Sequence, residues 1–220
     1  QSSKVFRNFL EERKKVSKRL GEGNVNSLFS NGDYADGYSG TSQDVLIPTF
    51  IAAYSGKSGD DISISSFTKY IPLPNWRITY DGLSKVALFN RLFKKFSITH
   101  SYKSTLNYGS FTSNLLYRID EDNGDAIARD IIGDYIPEKQ ISTVAITERY
   151  SPLVGLDLTL NNNMLVRVEY KRDRSASLSM SNSQITEVKG SEWSVGTGYK
   201  FRNVRLFQKT ANLDTRLDIG

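Results

Sequence analysis

Few residues in this chain could do chemistry. It has no cysteine and one histidine, His100. This excludes disulfides, thiolate metal sites and cysteine nucleophiles, and it leaves almost no room for a multi-histidine metal site. None of its serines lies in a Gly-x-Ser-x-Gly sequence, the turn that presents a nucleophilic serine. His100 alternates with apolar strand residues, so we interpret it as part of a strand face rather than as a general base.

Two groups of carboxylates invite a functional interpretation. Asp157 and Glu169 fall on neighbouring predicted strands, where two carboxylates could share acid and base roles. Arg167 and Lys171 accompany them, so a ladder of charges is the favoured interpretation. The acidic run over 120–125 fails as an EF-hand calcium loop, because glycine and isoleucine stand at its positions 5 and 12, which must hold a ligand oxygen and a glutamate. The sequence therefore predicts no catalytic, cofactor-binding or metal-binding residues, and a protein that is not an enzyme.

The net charge of +5 is confined to one end of the chain. Residues 1–20 hold seven basic and two acidic residues, whereas residues 21–220 hold 22 of each sign. A nucleic-acid-binding domain usually spreads its positive charge over a folded face. The basic segment is better interpreted as a solvated helix face, and no nucleic-acid partner is expected.

The elements that position these residues change period along the chain. The pattern predicts a basic helix over 5–20, a loop over 21–44, one or two helical turns over 44–54 and a helical segment over 83–95. From residue 75 onward a period of two predicts antiparallel strands, with a tight turn at 161–163 and a long connection over 111–140. We therefore divide the chain into an N-terminal helix and loop region, 1–73, and a strand region, 74–220. The alternation over 213–219 is cut off by the last residue, Gly220, which predicts a piece of a longer protein.

Two architectures share this alternation. A soluble sandwich or barrel turns its apolar side inward, whereas an outer-membrane barrel turns it toward lipid and lines its lumen with polar residues. Seven aromatic residues near predicted strand ends, together with alternating short and long connections, favour the outer-membrane barrel. These candidate interfacial aromatics are Trp76, Tyr108, Phe111, Tyr150, Tyr170, Trp193 and Phe201. The residues predicted to face lipid are Val154, Leu156, Leu158, Val166, Val168, Val195 and Tyr199. Those predicted to face the lumen are Asp157, Arg167, Glu169 and Lys171. The expected fold is all-β, an antiparallel transmembrane segment of a much larger barrel, with short helices near the N-terminus and between strands.

Four long stretches of the sequence carry a resemblance to a known family. They read SQDVLIPTFIAAYSGK (42–57), IPLPNWRITYDGLSKV (71–86), YSPLVGLDLTLNNNMLVRVEYKR (150–172) and QITEVKGSEWSVGTGYKF (184–201). In this order they resemble the C-terminal part of the SprA/Sov family. That family forms the outer-membrane translocon of the type IX secretion system, which Bacteroidota use for protein secretion and gliding motility.

The resemblance implies a location, a function and partners. The chain would lie in the cell outer membrane and form part of a pore that exports folded cargo proteins from the periplasm to the cell surface. The implied partners are a PorV-type shuttle protein, a plug protein that seals a lateral opening, the secreted cargo and outer-membrane lipid. The alternatives from the residues alone are a soluble all-β binding or adhesin module and, more weakly, an RNA-binding barrel.

Overall fold

The computed structural model describes residues 4–21, 33–64, 74–122, 126–201, 204–205 and 216–217, which form mostly antiparallel β-sheet with a few helices. Five strands form one sheet in the order β1-β2-β3-β4-β5, and β6 pairs with β7. The helices are α1 (Lys4–Leu20), α2 (Gln43–Ser55), a 3₁₀ turn (Gly82–Lys85) and α3 (Ala87–Asn90). The strands are β1 (Trp76–Tyr80), β2 (Phe93–Ser113), β3 (Lys139–Leu160), β4 (Met164–Ser179), β5 (Gln184–Tyr199), β6 (Val204–Arg205) and β7 (Arg216–Leu217).

The chain divides into two compact units. Each of the strands β2 to β5 lies partly in one unit and partly in the other. Unit 1 comprises Gln1–Pro72, Thr105–Thr147 and Ser175–Val188. Unit 2 comprises Leu73–Ser104, Glu148–Arg174 and Lys189–Gly220. Each unit is therefore assembled from three separate stretches of sequence.

The turns and strand starts follow from local residue chemistry. Pro72 and Pro74 of the sequence have no N–H to donate to a strand ladder, so the first strand is predicted to begin near Asn75. In the structure β1 begins at Trp76. The predicted turn at 161–163 separates β3 from β4. Asn163 closes it with φ of 68°, a conformation that asparagine tolerates better than most residues. The strand predicted over 213–219 lies outside the described residues except at 216–217.

Unit 1 is built around helix α2. Residues 45–52 of this helix are all buried, so it is surrounded on every side, as a helix without a polar face must be. Gly56 ends α2 in the left-handed conformation, with φ of 74°, and its N–H donates to the carbonyl of Ala52. The sequence predicted one or two turns over 44–54, with Pro48 near the start of the segment, but α2 has 13 residues. The extra turns bury apolar side chains, which outweighs the hydrogen bond lost at proline.

The helices cover one side of the sheet within unit 1. The buried cluster joins Phe9 of α1 and Phe50 of α2 to strand residues that alternate along β3 and β4. Those strand residues are Ile141, Val144, Ile146, Ala176 and Leu178. In this unit the apolar side of the strands thus packs on helices rather than remaining open.

The helical segment predicted over 83–95 is shorter in the structure. It consists of the 3₁₀ turn and α3, which together end at Asn90, and β2 begins at Phe93. Phe96 packs edge-to-face on both Phe93 and Phe89, with ring centroids 5.4 and 5.2 Å apart. Strand β2 therefore begins inside the segment that was predicted to be helical, and these aromatic contacts pack the residues at its start.

The connection between β2 and β3, predicted as a long loop over 111–140, spans 114–138 and is anchored within unit 1. The carboxylate of Asp134 accepts hydrogen bonds of 2.6 Å from both the N–H and the hydroxyl of Ser39. Arg129 forms a salt bridge of 2.8 Å with Asp36. The C-terminal half of the connection is therefore held in place, while its location outside the cell stays a prediction.

We expect Leu178→Ala to lower the free energy of local opening of the unit 1 core by about 2–5 kcal/mol, because it leaves a cavity at a fully buried position. The measurement is amide hydrogen exchange of residues 141–146 in the chain held in detergent micelles. Leu115→Ala is the matched control, since Leu115 is 95% exposed. Equal effects of the two changes would contradict the assignment of this core.

Candidate functional site

The strands of unit 2 present two chemically different sides. Arg167 and Asp157 form an ion pair of 2.5 Å between β4 and β3. Because successive residues of a strand point to opposite sides, the residues that flank this pair lie together on the other side. These are Leu156 and Leu158 of β3 and Val166 and Val168 of β4. We call this side the apolar side and the side of the ion pair the charged side.

Strand β5 extends the apolar side. Tyr170 of β4 and Trp193 of β5 stack with ring centroids 4.6 Å apart and an interplanar angle of 28°. Val168 lies two residues before Tyr170 and Val195 two residues after Trp193, so both share the side of this stack. The structure thus brings all seven residues predicted to face lipid to one side of neighbouring strands: Val154, Leu156, Leu158, Val166, Val168, Val195 and Tyr199. Val154 is 48%, Val195 67% and Tyr199 51% exposed.

The charged side carries a ladder of ion pairs. Besides the Arg167–Asp157 pair, the ammonium group of Lys171 lies 3.5 Å from Glu169 and 3.6 Å from Glu192. The four residues predicted to face the lumen, Asp157, Arg167, Glu169 and Lys171, are therefore all engaged in ion pairs. Asp157 and Glu169 are each held by a cation, so neither is placed as a free catalytic carboxylate. That this side lines a lumen stays a prediction.

Each of the five strands carries an aromatic residue on the apolar side, and these residues form two groups in ring contact. Trp76 of β1 stacks on Tyr102 of β2 at 4.5 Å, and Tyr102 contacts Tyr150 of β3 at 4.9 Å. With the stacked Tyr170 and Trp193 they form what we call the aromatic row. The sequence placed four of these five residues near strand ends as candidate interfacial aromatics, and Tyr102 was missed.

His100 lies beside the aromatic row. It is directly opposite Ile78 in the β1–β2 pair, and its Nδ1 is 2.7 Å from the carbonyl oxygen of Leu153. The structure therefore places His100 on a strand face, as the sequence predicted. Tyr108, by contrast, packs against the helical core of unit 1, although it was predicted to lie with the interfacial aromatics.

A chain of polar contacts crosses the strands next to the aromatic row. The hydroxyl of Tyr102 donates to Glu148 at 2.9 Å, and Arg174 pairs with the other oxygen of Glu148 at 3.2 Å. Arg174 is four residues from Tyr170 on β4, so it shares the apolar side. Sequence reasoning missed these contacts, since only the register of three strands brings the residues together.

A second polar feature lies in unit 1. Asp44, in the first turn of α2, borders a cavity of ≈390 Å³ together with Tyr38, Tyr117 and Tyr135. Burial raises the pKa of Asp44 to about 6, and the negative charge of Asp134 adds to the shift. Burial also raises the pKa of Asp134, although the hydrogen bonds from Ser39 oppose this. The cavity therefore holds a carboxyl group that titrates close to neutral pH.

Neither a metal centre nor a helical membrane span is found in the part of the chain that the structure describes. No three His, Asp or Glu side chains converge there as metal ligands. No helix among these residues is long and apolar enough to cross a membrane. A scan against protein-family models and a search of the curated proteins return no match to this chain.

We expect the stability of unit 1 to rise as the pH falls from 7 toward 5. The pKa of Asp44 in the folded chain lies above its ordinary value of 3.8, so the folded state binds the proton more tightly than the unfolded state. The charged form therefore costs stability above pH 6, and Asp44→Asn should raise the stability at pH 7 by about 1–3 kcal/mol and flatten the pH dependence. Thermal unfolding of the helical circular dichroism signal between pH 5 and 8 measures this. An unchanged pH slope in Asp44→Asn would contradict it.

Proposed function

We propose that the chain is a segment of a pore-forming outer-membrane translocon that exports folded proteins from the periplasm to the cell surface. The observation that carries the proposal is the two-sided construction of unit 2. One side is apolar, partly exposed and lined by the aromatic row, and the opposite side carries paired charges. This is the arrangement that a transmembrane strand requires, with lipid on one side and water on the other.

The order of residues along the apolar side supports the proposal. Val154, Leu156, Val166 and Val168 lie between the 161–163 turn and the aromatic row. Interfacial belts of tryptophan and tyrosine border the hydrocarbon region of membrane proteins. In the proposed orientation the short turn is periplasmic and the long connection is outside the cell, as outer-membrane barrels arrange them.

The mechanism proposed is physical rather than chemical. The charged side would line an aqueous path, where ion pairs such as Arg167–Asp157 remain solvated and offer cargo no extended apolar surface. The resemblance to the SprA/Sov family supplies the rest of the proposal: type IX secretion and gliding motility in Bacteroidota, cargo delivery through a PorV-type shuttle protein, and a plug protein at a lateral opening.

A soluble all-β binding or adhesin module is the second candidate function. The helical core of unit 1 favours it, because there the apolar strand residues are buried by α1 and α2 as in a soluble protein. The two candidates differ in what covers the apolar side of unit 2. A membrane protein exposes it to lipid, whereas a soluble module needs another protein surface to bury it.

The chain purified alone discriminates these candidates. We expect it to aggregate in plain buffer and to become monodisperse only in detergent or lipid, because Val195, Trp193 and Tyr199 otherwise contact water. Analytical ultracentrifugation with and without detergent measures this. A monodisperse monomer that melts cooperatively in plain buffer would favour the soluble module and contradict the membrane proposal.

Arginine substitutions test which side faces lipid. Leu156→Arg and Val168→Arg should each lower folding stability in lipid by about 2–4 kcal/mol if these positions lie near the bilayer midplane. Thr159→Arg on the charged side adds the same charge and should have a mild effect. Denaturant titration of the chain reconstituted in phosphatidylcholine vesicles measures all three. Equal losses on the two sides would show that the assignment of the sides is wrong.

A further inference from the structure

The cavity beside Asp44 in unit 1 has the size and composition of a ligand site. Its volume is ≈390 Å³, and the residues that line it include Asp44, Pro48 and three tyrosines, Tyr38, Tyr117 and Tyr135. Ligand cavities in proteins are of this size, with mostly apolar and aromatic walls and a few polar groups. Voids left by imperfect packing are smaller and apolar.

Hydrogen bonds hold the walls of this cavity in place. The side-chain amide of Gln43 donates to the carbonyl of Lys139 and accepts from the N–H of Ile141, both at 2.7 Å. These two bonds fix the start of α2 on β3. The N–H of Tyr135 donates to the carbonyl of Gly37 at 2.9 Å. The cavity is therefore built into the fold, so a ligand can enter it at little cost in chain ordering.

The carboxyl group of Asp44 lacks the donors that a partly buried charge needs. No group in the part of the chain that the structure describes donates a hydrogen bond to it or forms a salt bridge with it. Burial raises its pKa to about 6, and the negative charge of Asp134 adds to the shift, so most of the group is still ionised at pH 7. A carboxylate in such surroundings costs free energy until a donor pairs with it.

The other charged residues in the lining do not supply this donor. Lys139 lines the cavity, but no salt bridge joins it to Asp44 within the described residues. Glu138, which also lines it, is exposed and acidic. Two acidic residues and one basic residue are thus found in the described lining, and Asp134 adds negative charge nearby. The cavity therefore favours a positively charged ligand.

The chemistry of the lining selects the kind of cation. Calcium and magnesium need several oxygen ligands, and no three His, Asp or Glu side chains converge as ligands within the described ranges. Tyrosine rings attract organic cations, as the guanidinium of Arg129 shows by lying 4.4 Å from the centroid of the Tyr135 ring. An alkylammonium ion needs only one carboxylate for its compact charge, and its stem can contact apolar and aromatic groups.

We propose that this cavity binds an alkylammonium group, either a free amine or the side chain of a lysine in a partner protein. The nitrogen pairs with Asp44, and the stem lies among Tyr38, Tyr117 and Tyr135. The site belongs to unit 1 and does not depend on the proposed membrane function. It gives the helical part of the chain a binding activity of its own.

The test titrates n-butylammonium chloride into the chain held in maltoside micelles, with sodium chloride added to keep the ionic strength constant. NMR chemical shifts of the amide groups of residues 43–47 report the dissociation constant. Asp44→Asn should weaken binding at least about tenfold, because it removes a hydrogen bond to a charged group. This substitution is expected to stabilise unit 1, so the loss would not come from unfolding. Asp61→Asn, the matched control at an exposed carboxylate of the same unit, should change binding less than about twofold.

The aromatic part of the site has its own variant. Tyr117→Leu keeps an apolar side chain in the lining but removes the ring, and it should weaken binding of n-butylammonium about threefold or more. An unchanged dissociation constant in this variant would overturn the placement of the stem among the tyrosines.

Further probes identify the source of the ammonium group. Nα-acetyl-lysine N-methylamide carries the same group and stem on a peptide unit. Tighter binding than n-butylammonium assigns the site to a lysine side chain, whereas equal or weaker binding assigns it to a free amine. Equal affinity for the lysine compound and its norleucine counterpart, equal affinity of Asp44→Asn and Asp61→Asn, or no saturable shift at millimolar concentrations would each overturn the proposal. The membrane proposal is tested separately, by solubility in plain buffer and by the arginine substitutions.

Discussion

The side chains of every strand in this sheet alternate between two sides, and each side contacts its own environment. Apolar and polar residues alternate from β1 to β5, so the two sides differ in chemistry and need different surroundings. In unit 1 the apolar side is satisfied by α1 and α2, with Leu178 and Phe50 fully buried. In unit 2 the same alternation leaves Val195 and Trp193 67% and 70% exposed. What covers the apolar side of unit 2 therefore decides what the protein does.

The backbone adds a second demand of the same kind. Among the described residues β1 and β5 are the edges of the five-stranded sheet, and each edge presents N–H and C=O groups in need of partners. Water can satisfy these groups, but lipid cannot. If the apolar side contacts lipid, as proposed, the backbone groups at both edges need further strands as partners. The proposal of a segment within a larger barrel meets the two demands together.

Local sequence signals predicted the parts of the fold that depend on nearest neighbours. The 161–163 turn, the start of β1 and the extent of α1 each follow from a few adjacent residues whose backbone preferences are strong. The sequence predicted a ladder of charges among Asp157, Arg167, Glu169 and Lys171, and the tight turn sets the register that pairs Arg167 with Asp157. The side-chain period also placed the seven predicted lipid-facing residues on one side.

The remaining features depend on contacts between residues far apart in sequence. The Tyr102–Glu148–Arg174 chain needs three strands in register, and nothing local in β2 marks Tyr102 as its member. Tyr108 alternates like the interfacial aromatics, yet it packs on the helical core of unit 1. The alternation of residues along a strand shows which of them share a side, but it does not show what that side contacts. For the same reason α2 is longer than the one or two turns that the sequence predicted, since burial by distant strands extends it.

The magnitude of the exposed apolar surface bears on the choice between lipid and water. Burying a valine or larger apolar side chain is worth about 1.5–3 kcal/mol. Val154, Trp193, Val195 and Tyr199 are each about half exposed or more, so covering them is worth several kcal/mol in total. A typical domain has a stability of about 5–15 kcal/mol, so this surface is a large fraction of what holds such a fold together. Scattered exposed apolar residues need no explanation, but these lie on one side of neighbouring strands and adjoin stacked aromatic rings. A surface of that kind is stable in contact with acyl chains or with another protein, and the alternation of the strands is what leaves it in need of one or the other.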